Sequence, residues 1–231
     1  MWLAFVCLAA VLLALALPRS LAELAATPGR AATDRLIAGE RVSESSFARA
    51  LSALQAALRW HDAGRWHRQL GMVEIGYAQF LEPAAAAPLR AEGLQHLLVA
   101  LARAPADSHA WLVLARTLLD AGERLQAAGA LDWAVRTMPF DPDNAGLRAL
   151  LGLALWELLE PPTQARLRSD LFAWFRREPR AVVAFAARSR RIDLVADLLA
   201  ADERTSDRFT ALLAELERKA MEEGPDIGEP R

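Results

Sequence analysis

The sequence predicts an all-α chain in which helix pairs stack side by side behind an apolar N-terminal helix. Three observations carry this. Ala and Leu dominate while β-branched residues are few and there is one Tyr. Ala and Leu lose little entropy in a helix, and β-branched residues lose more. Apolar residues recur at spacings of three and four along most of the chain. The first 17 residues, Met1 to Leu17, carry no charge and no polar side chain. At 231 residues the chain has the size of one domain with a substantial core.

The N-terminal run is the first element. A helix of that length at ~1.5 Å per residue spans about 26 Å, just short of a hydrocarbon core. Pro18 and Arg19 are expected to end it. Ala14-Leu15-Ala16 has signal-peptidase spacing, but no basic residue precedes the run, so an uncleaved single-pass anchor is expected over a removed signal. Arg19, Arg30 and Arg35 alone would draw the following chain to the cytoplasm. Glu23 and Asp34 dilute that bias, and a leading apolar segment usually sends the chain outward. The expectation is an inner-membrane protein with a periplasmic body.

Residues 18–42 hold Pro18, Pro28, Gly29 and Gly39, and read as a tether with one short helix. Ser43 then stands as a cap before Phe47, Ala50, Leu51, Leu54, Ala57 and Leu58, a single apolar stripe. In the segment 108–141, Trp111, Leu114, Ala115, Leu118, Gly122, Ala127, Leu131, Ala134 and Pro139 form an ordered pattern over 34 residues. Ala115, Ala127 and Ala134 let two helices approach closely, Gly122 permits the turn, and Pro139 stops the second helix. Looser copies flank it. A helix beginning at Leu70-Gly71 runs to about Leu81, and a Pro/Ala insertion occupies 83–88. Gly93, Leu97, Ala100 and Pro105 follow at the expected spacing. Downstream, Leu151-Gly152-Leu155 opens a third pair, broken at Pro161-Pro162 and closed by Leu167, Leu171, Trp174 and Pro179.

This arrangement resembles the tetratricopeptide repeat, with Ala115, Leu118 and Leu131 replacing the family's usual Gly, Tyr and aromatic residue. The resemblance implies a right-handed superhelix of tetratricopeptide-like pairs over 43–179. Shorter helices over 180–221 are expected to cap the stack, with a disordered tail at 222–231.

Little in the sequence points to covalent chemistry. Net charge is −2 with a pI near 6.1, which gives no reason to expect nucleic acid. All basic residues except Lys219 are arginine, a bias usual in GC-rich bacterial genomes. Cys7 is the one cysteine and lies in the apolar run, so the body has no thiol for disulfides, zinc or nucleophilic attack. His61, His67, His96 and His109 show no metal-ligand spacing, and surface or interhelical hydrogen bonding is expected of them. No phosphate loop, nucleophile elbow or dinucleotide fingerprint occurs. Asp141-Pro142-Asp143-Asn144 lacks the glycine and glutamate of a calcium loop and reads as a helix stop followed by a cap. Most of the tryptophans, Trp133 and Trp174 among them, are expected in the core.

The resemblance also implies a concave inner surface, lined by fixed positions of each first helix. Those positions fall on Arg65, Arg68, Met72 and Ile75, on His109, Leu112, Arg116, Leu119 and Asp120, and on Leu153, Trp156 and Glu157. An apolar strip beside arginines suits an acidic peptide or helix, because Arg pairs bidentately with carboxylates. It would equally suit an anionic polysaccharide, with Trp stacking on sugar faces, or packing against other helices of the same chain. A second resemblance rests on the short anchor, Gly39-Glu40-Arg41-Val42-Ser43, and Arg190-Arg191-Ile192-Asp193-Leu194-Val195. It is to accessory proteins of bacterial exopolysaccharide and capsule assembly. The expected function is a non-catalytic scaffold, without cofactor or metal, that binds a protein partner in a membrane complex. The alternative is a periplasmic glycan-binding or glycan-modifying protein.

Overall fold

The computed structural model describes residues 2–223. It is all-helical, with no strand among the described residues. The chain forms two compact units, residues 1–121 and 122–231.

The first unit contains α1 (Trp2–Ala26), α2 (Arg30–Ile37), α3 (Glu44–Trp60), α4 (Gly64–Ala78), α5 (Pro83–Arg103) and α6 (Ser108–Asp120). Helix α1 is long and apolar enough to cross a membrane. It does not stop at Pro18, which lies inside it. The expected tether at 18–42 is instead helical and packed. Ala22, Ala26, Thr33 and Leu36 are buried, and α3 and α4 cover them. The prolines and glycines of this stretch suggest a linker, but its small and apolar residues at spacings of three and four form a stripe that buries. Gly39, at φ +78°, ends α2. Ser43 caps α3, its Oγ accepting from Ser46 N at 3.3 Å.

The Pro/Ala stretch 83–88 is also helical, as the opening of α5, rather than an insertion between helices. Pro83 occupies the first turn, where its missing N–H costs nothing, and the Glu82 carbonyl accepts from Ala85 and Ala86. Only Pro88 removes an interior bond, and the alanines around it are the strongest helix formers. Helices α4 and α5 pack at backbone contact. A Cβ added to Gly71 would lie 2.6 Å from the Gly93 carbonyl oxygen, and one added to Gly93 would lie 2.7 Å from Ile75 Cγ1.

The second unit contains α7 (Arg124–Thr137), α8 (Ala145–Leu155), α9 (Pro161–Arg177), α10 (Pro179–Arg188), α11 (Ile192–Leu199) and α12 (Glu203–Glu223). A 3₁₀ turn at Trp156–Leu158 joins α8 to α9. Gly122, at φ +85°, opens the unit, and α7 ends just before Pro139. Helices α8 and α9 meet closely where a Cβ on Gly152 would lie 2.8 Å from Leu167 Cδ1. The two short helices α10 and α11 and the longer α12 pack on this pair. Val182, Val183, Val195, Leu199 and Phe209 share a core with Leu153, Leu171 and Phe175. Glu222 and Glu223, expected in the tail, belong to α12, and the rest of the tail lies outside the described residues.

The 34-residue pattern at 108–141 falls on α6 and α7, so its two helices belong to different units.

Candidate functional site

The residues expected to line the inner surface have different environments. Met72 and Leu112 are buried core side chains, closed to a partner. Both sit at apolar positions of tightly packed helices, where burial is the cheaper outcome. Arg65 pairs with Glu23 at 2.6 Å, with its guanidinium 4.4 Å from the centre of the Trp66 ring. Arg68 donates to Asp107 Oδ1 at 3.0 Å, and that same oxygen caps α6 by accepting from Ala110 N. Arg68 thereby fastens α4 to the start of α6. His109 is half-buried on the first turn of α6. Arg116 and Asp120 are exposed and bonded to each other along α6 at 2.9 Å. Trp156 belongs to the second unit, half-buried against its core, with its carbonyl accepting from Gln164. Within the first unit α4 and α6 are neighbours, so Arg65, Arg68, Arg116 and Asp120 share one helical pair. All four are already held by partners within the chain.

A polar chain that the sequence reading did not assemble crosses the α4–α5 contact. Arg103 donates to the backbone carbonyl of Asp62 at 2.7 Å and forms an ion pair with its carboxylate. His67 Nε2 lies 2.8 Å from Asp62 Oδ1, His67 Nδ1 lies 3.0 Å from His96 Nδ1, and His96 Nε2 lies 3.7 Å from Glu74 Oε1. Glu74 is 3% exposed. Burial, helped by the nearby Glu92 charge, pushes its pKa up to about 8, so at neutral pH it holds its proton. Burial and the neighbouring His67 also push His96 down, towards the neutral imidazole. The hydrogen bond from Arg103 holds Asp62 below the usual carboxylate range. One arrangement of protons satisfies the chain. His67 donates Nε2–H to Asp62 and accepts at Nδ1 from His96 Nδ1–H, leaving His96 Nε2 as an acceptor facing the protonated Glu74. The last gap is too long for a direct hydrogen bond. His67 and His96 are thus bonded between helices.

The second unit buries a charge pair of its own. Arg148 is 1% exposed, with Nε 2.9 Å from Asp170 Oδ2 and Nη1 donating to the Met138 carbonyl at 2.7 Å. It ties the end of α7 to α8 and α9. Desolvation outweighs the attraction of Arg148 and raises Asp170 to about 6. Asp141 accepts from Asn144 N and Nδ2 immediately before α8, which fits the stop-and-cap reading.

One face of α7 is apolar and open. Leu125 is 72% exposed and Trp133 50%, with Gly129 midway between them, and Phe140 beyond the helix is 76% exposed. Trp133 therefore departs from the expected core role, because the opposite face of α7, with Ala127, Leu131 and Ala134, is the one that packs. Trp60 likewise is exposed at the end of α3. Trp174 lies against Gly146 in a cleft of about 350 Å³ that Asp143, Arg177 and Glu178 also border. No group of three or more His, Cys, Asp or Glu is placed to hold a metal among the described residues.

Glu74 and Arg148 each stand in an apolar run, and a charge inside such a run is the one sequence signal that marks them. No family model matches the sequence, and a search of curated proteins finds no match to it.

Proposed function

We propose that this chain is a membrane-tethered helical adaptor, built on tetratricopeptide-like pairs, that recruits a partner protein without covalent chemistry. The observation that carries the reading is the exposed apolar face of α7. Leu125, Gly129 and Trp133 are spaced four apart, so they share one side of the helix, and Phe140 beyond the helix end is exposed as well. Monomeric soluble surfaces seldom keep such groups together unless they bind something. Anchoring is supported by the apolar, exposed first half of α1. The repeat reading is supported by helix ends that coincide with the 34-residue pattern, from Ser108 to Thr137. The proposed setting, a periplasm-facing complex of exopolysaccharide assembly, rests on the second resemblance alone.

The test is photo-crosslinking in native membranes from position 125, followed by identification of the adduct. A discrete protein adduct that disappears in Trp133→Ser, with helical circular dichroism unchanged, is expected. Labelling of lipid or solvent only would refute the adaptor reading. A second reading, binding of an anionic glycan, is favoured by the Trp174 cleft, where an aromatic face stands beside Arg177. It predicts tryptophan fluorescence quenching by anionic polysaccharide that Trp174→Phe and Arg177→Gln both weaken.

A further inference from the structure

The first unit carries a surface that the geometry places level with the end of the apolar span. Up to Leu17 the described side chains of α1 are exposed, whereas Ala22 and Ala26, further along the same unbroken helix, are core. Past α1, Gly29 touches Ala50 and Ala53. Ala26 and Arg30 line the same hollow as Leu54. Glu23 reaches Arg65 at the start of α4. These contacts run antiparallel, so the end of α3 lies towards the N-terminus of α1. Continued at ~1.5 Å per residue on both helices, they bring Trp60 level with about residue 20. There the apolar stretch has just ended.

The chemistry at that level is specific. Trp60 is 54% exposed at the last position of α3. Arg19 and Arg59 are exposed and form no ion pair among the described residues. Arg65 is met by Glu23, and Arg103, which brings the end of α5 to the same turn, is met by Asp62. The net charge contributed by these groups is therefore positive. An aromatic ring with an amphipathic edge settles at headgroup depth, and uncompensated arginines attract anionic lipid phosphates.

We propose that the α3–α4 turn rests on the bilayer surface, with Trp60 among the headgroups and Arg19 and Arg59 on the phosphates of anionic phospholipids. This rests on the anchoring of α1 described above. A flexible tether would leave the turn free to point anywhere, but here it is fixed by the packing of Ala22, Ala26 and Gly29 on α3.

The test uses the full chain reconstituted in vesicles of phosphatidylcholine, alone or mixed with phosphatidylglycerol, in a Cys7→Ser background. A single nitroxide is placed by Val11→Cys, His61→Cys or Glu82→Cys. Depth is read from oxygen against nickel-chelate accessibility. Position 11 is expected in hydrocarbon, and position 61 at headgroup depth, deeper with phosphatidylglycerol. Position 82, at the far end of α4, is expected in water. A combined Trp60→Ser, Arg19→Gln, Arg59→Gln variant is expected to move position 61 to the accessibility of position 82. If position 61 is as aqueous as 82 while 11 stays in hydrocarbon, the surface is refuted and the anchor stands. If position 11 is itself aqueous, the anchor falls and the surface with it. Depth at 61 that ignores phosphatidylglycerol would remove the role of the arginines.

Discussion

Glu74 is a carboxylic acid placed where its ionised form is costly, and pH should reveal it. Its folded pKa is raised, so the folded state holds a proton that the unfolded state releases above the ordinary carboxylate value. Its stabilising contribution is complete below about pH 4.5 and is lost as pH rises through about 8, an effect of at most ~5 kcal/mol. Denaturant unfolding from pH 5 to 8 should show falling stability, and Glu74→Gln should flatten that slope while keeping the fold. A slope unchanged in the variant would assign it elsewhere. At Arg148 the reasoning concerns an unpaired buried charge. Arg148→Met alone should cost about 3–5 kcal/mol by stranding Asp170, whereas Arg148→Met with Asp170→Leu should recover most of it. Chemical denaturation of the three variants decides this. Neither residue was legible as structural before the helices were packed. Sequence spacing shows that a charge interrupts an apolar run, but not whether a partner waits across the interface.

At the level of elements, the helices most easily read were those with a clear stripe and a recognised stop. Helix α3 begins after Ser43, α7 ends before Pro139, and α10 and α11 fall where shorter helices are expected, after Pro179. The misreadings share a cause. Pro18 and Pro88 sit inside helices, and Pro28 with Gly29 forms a 3₁₀ turn that packs on α3. Proline and glycine punctuate most helices, yet here alanine-rich surroundings and burial outweigh them. The glycines now separate into two kinds. Gly71→Ala should destabilise the first unit by about 1–3 kcal/mol, because a methyl group there meets the Gly93 carbonyl. Gly129→Ala meets nothing and should stabilise α7 by about 0.5–1 kcal/mol. Thermal melts of the two variants should shift in opposite directions.

At the scale of the whole molecule, the chain forms two compact helical units, residues 1–121 and 122–231. The expected all-helical class and the apolar N-terminal helix were both readable from composition alone. The candidate groove was not, because choosing the inner face of a helix requires its register. Met72 and Leu112 turned inward. Truncation separates the two parts of α1. Removing residues 2–17 should leave cooperative unfolding intact in detergent-free buffer, since the described side chains there are exposed. Removing residues 2–29 should abolish it in the first unit, because Ala22, Ala26 and Gly29 go with them.

The unbroken run of α1 from lipid-compatible residues into the core gives the molecule a stiff axle. Each residue of an α-helix turns it by about 100°. One alanine inserted between Leu12 and Leu13 would thus swing everything N-terminal to it around the axis, relative to the packed body. Any neighbour embedded beside that segment would meet a different side of the body after one insertion. It would regain nearly the original side only after three or four, so the spacing of this short stretch sets a compass bearing as well as a length.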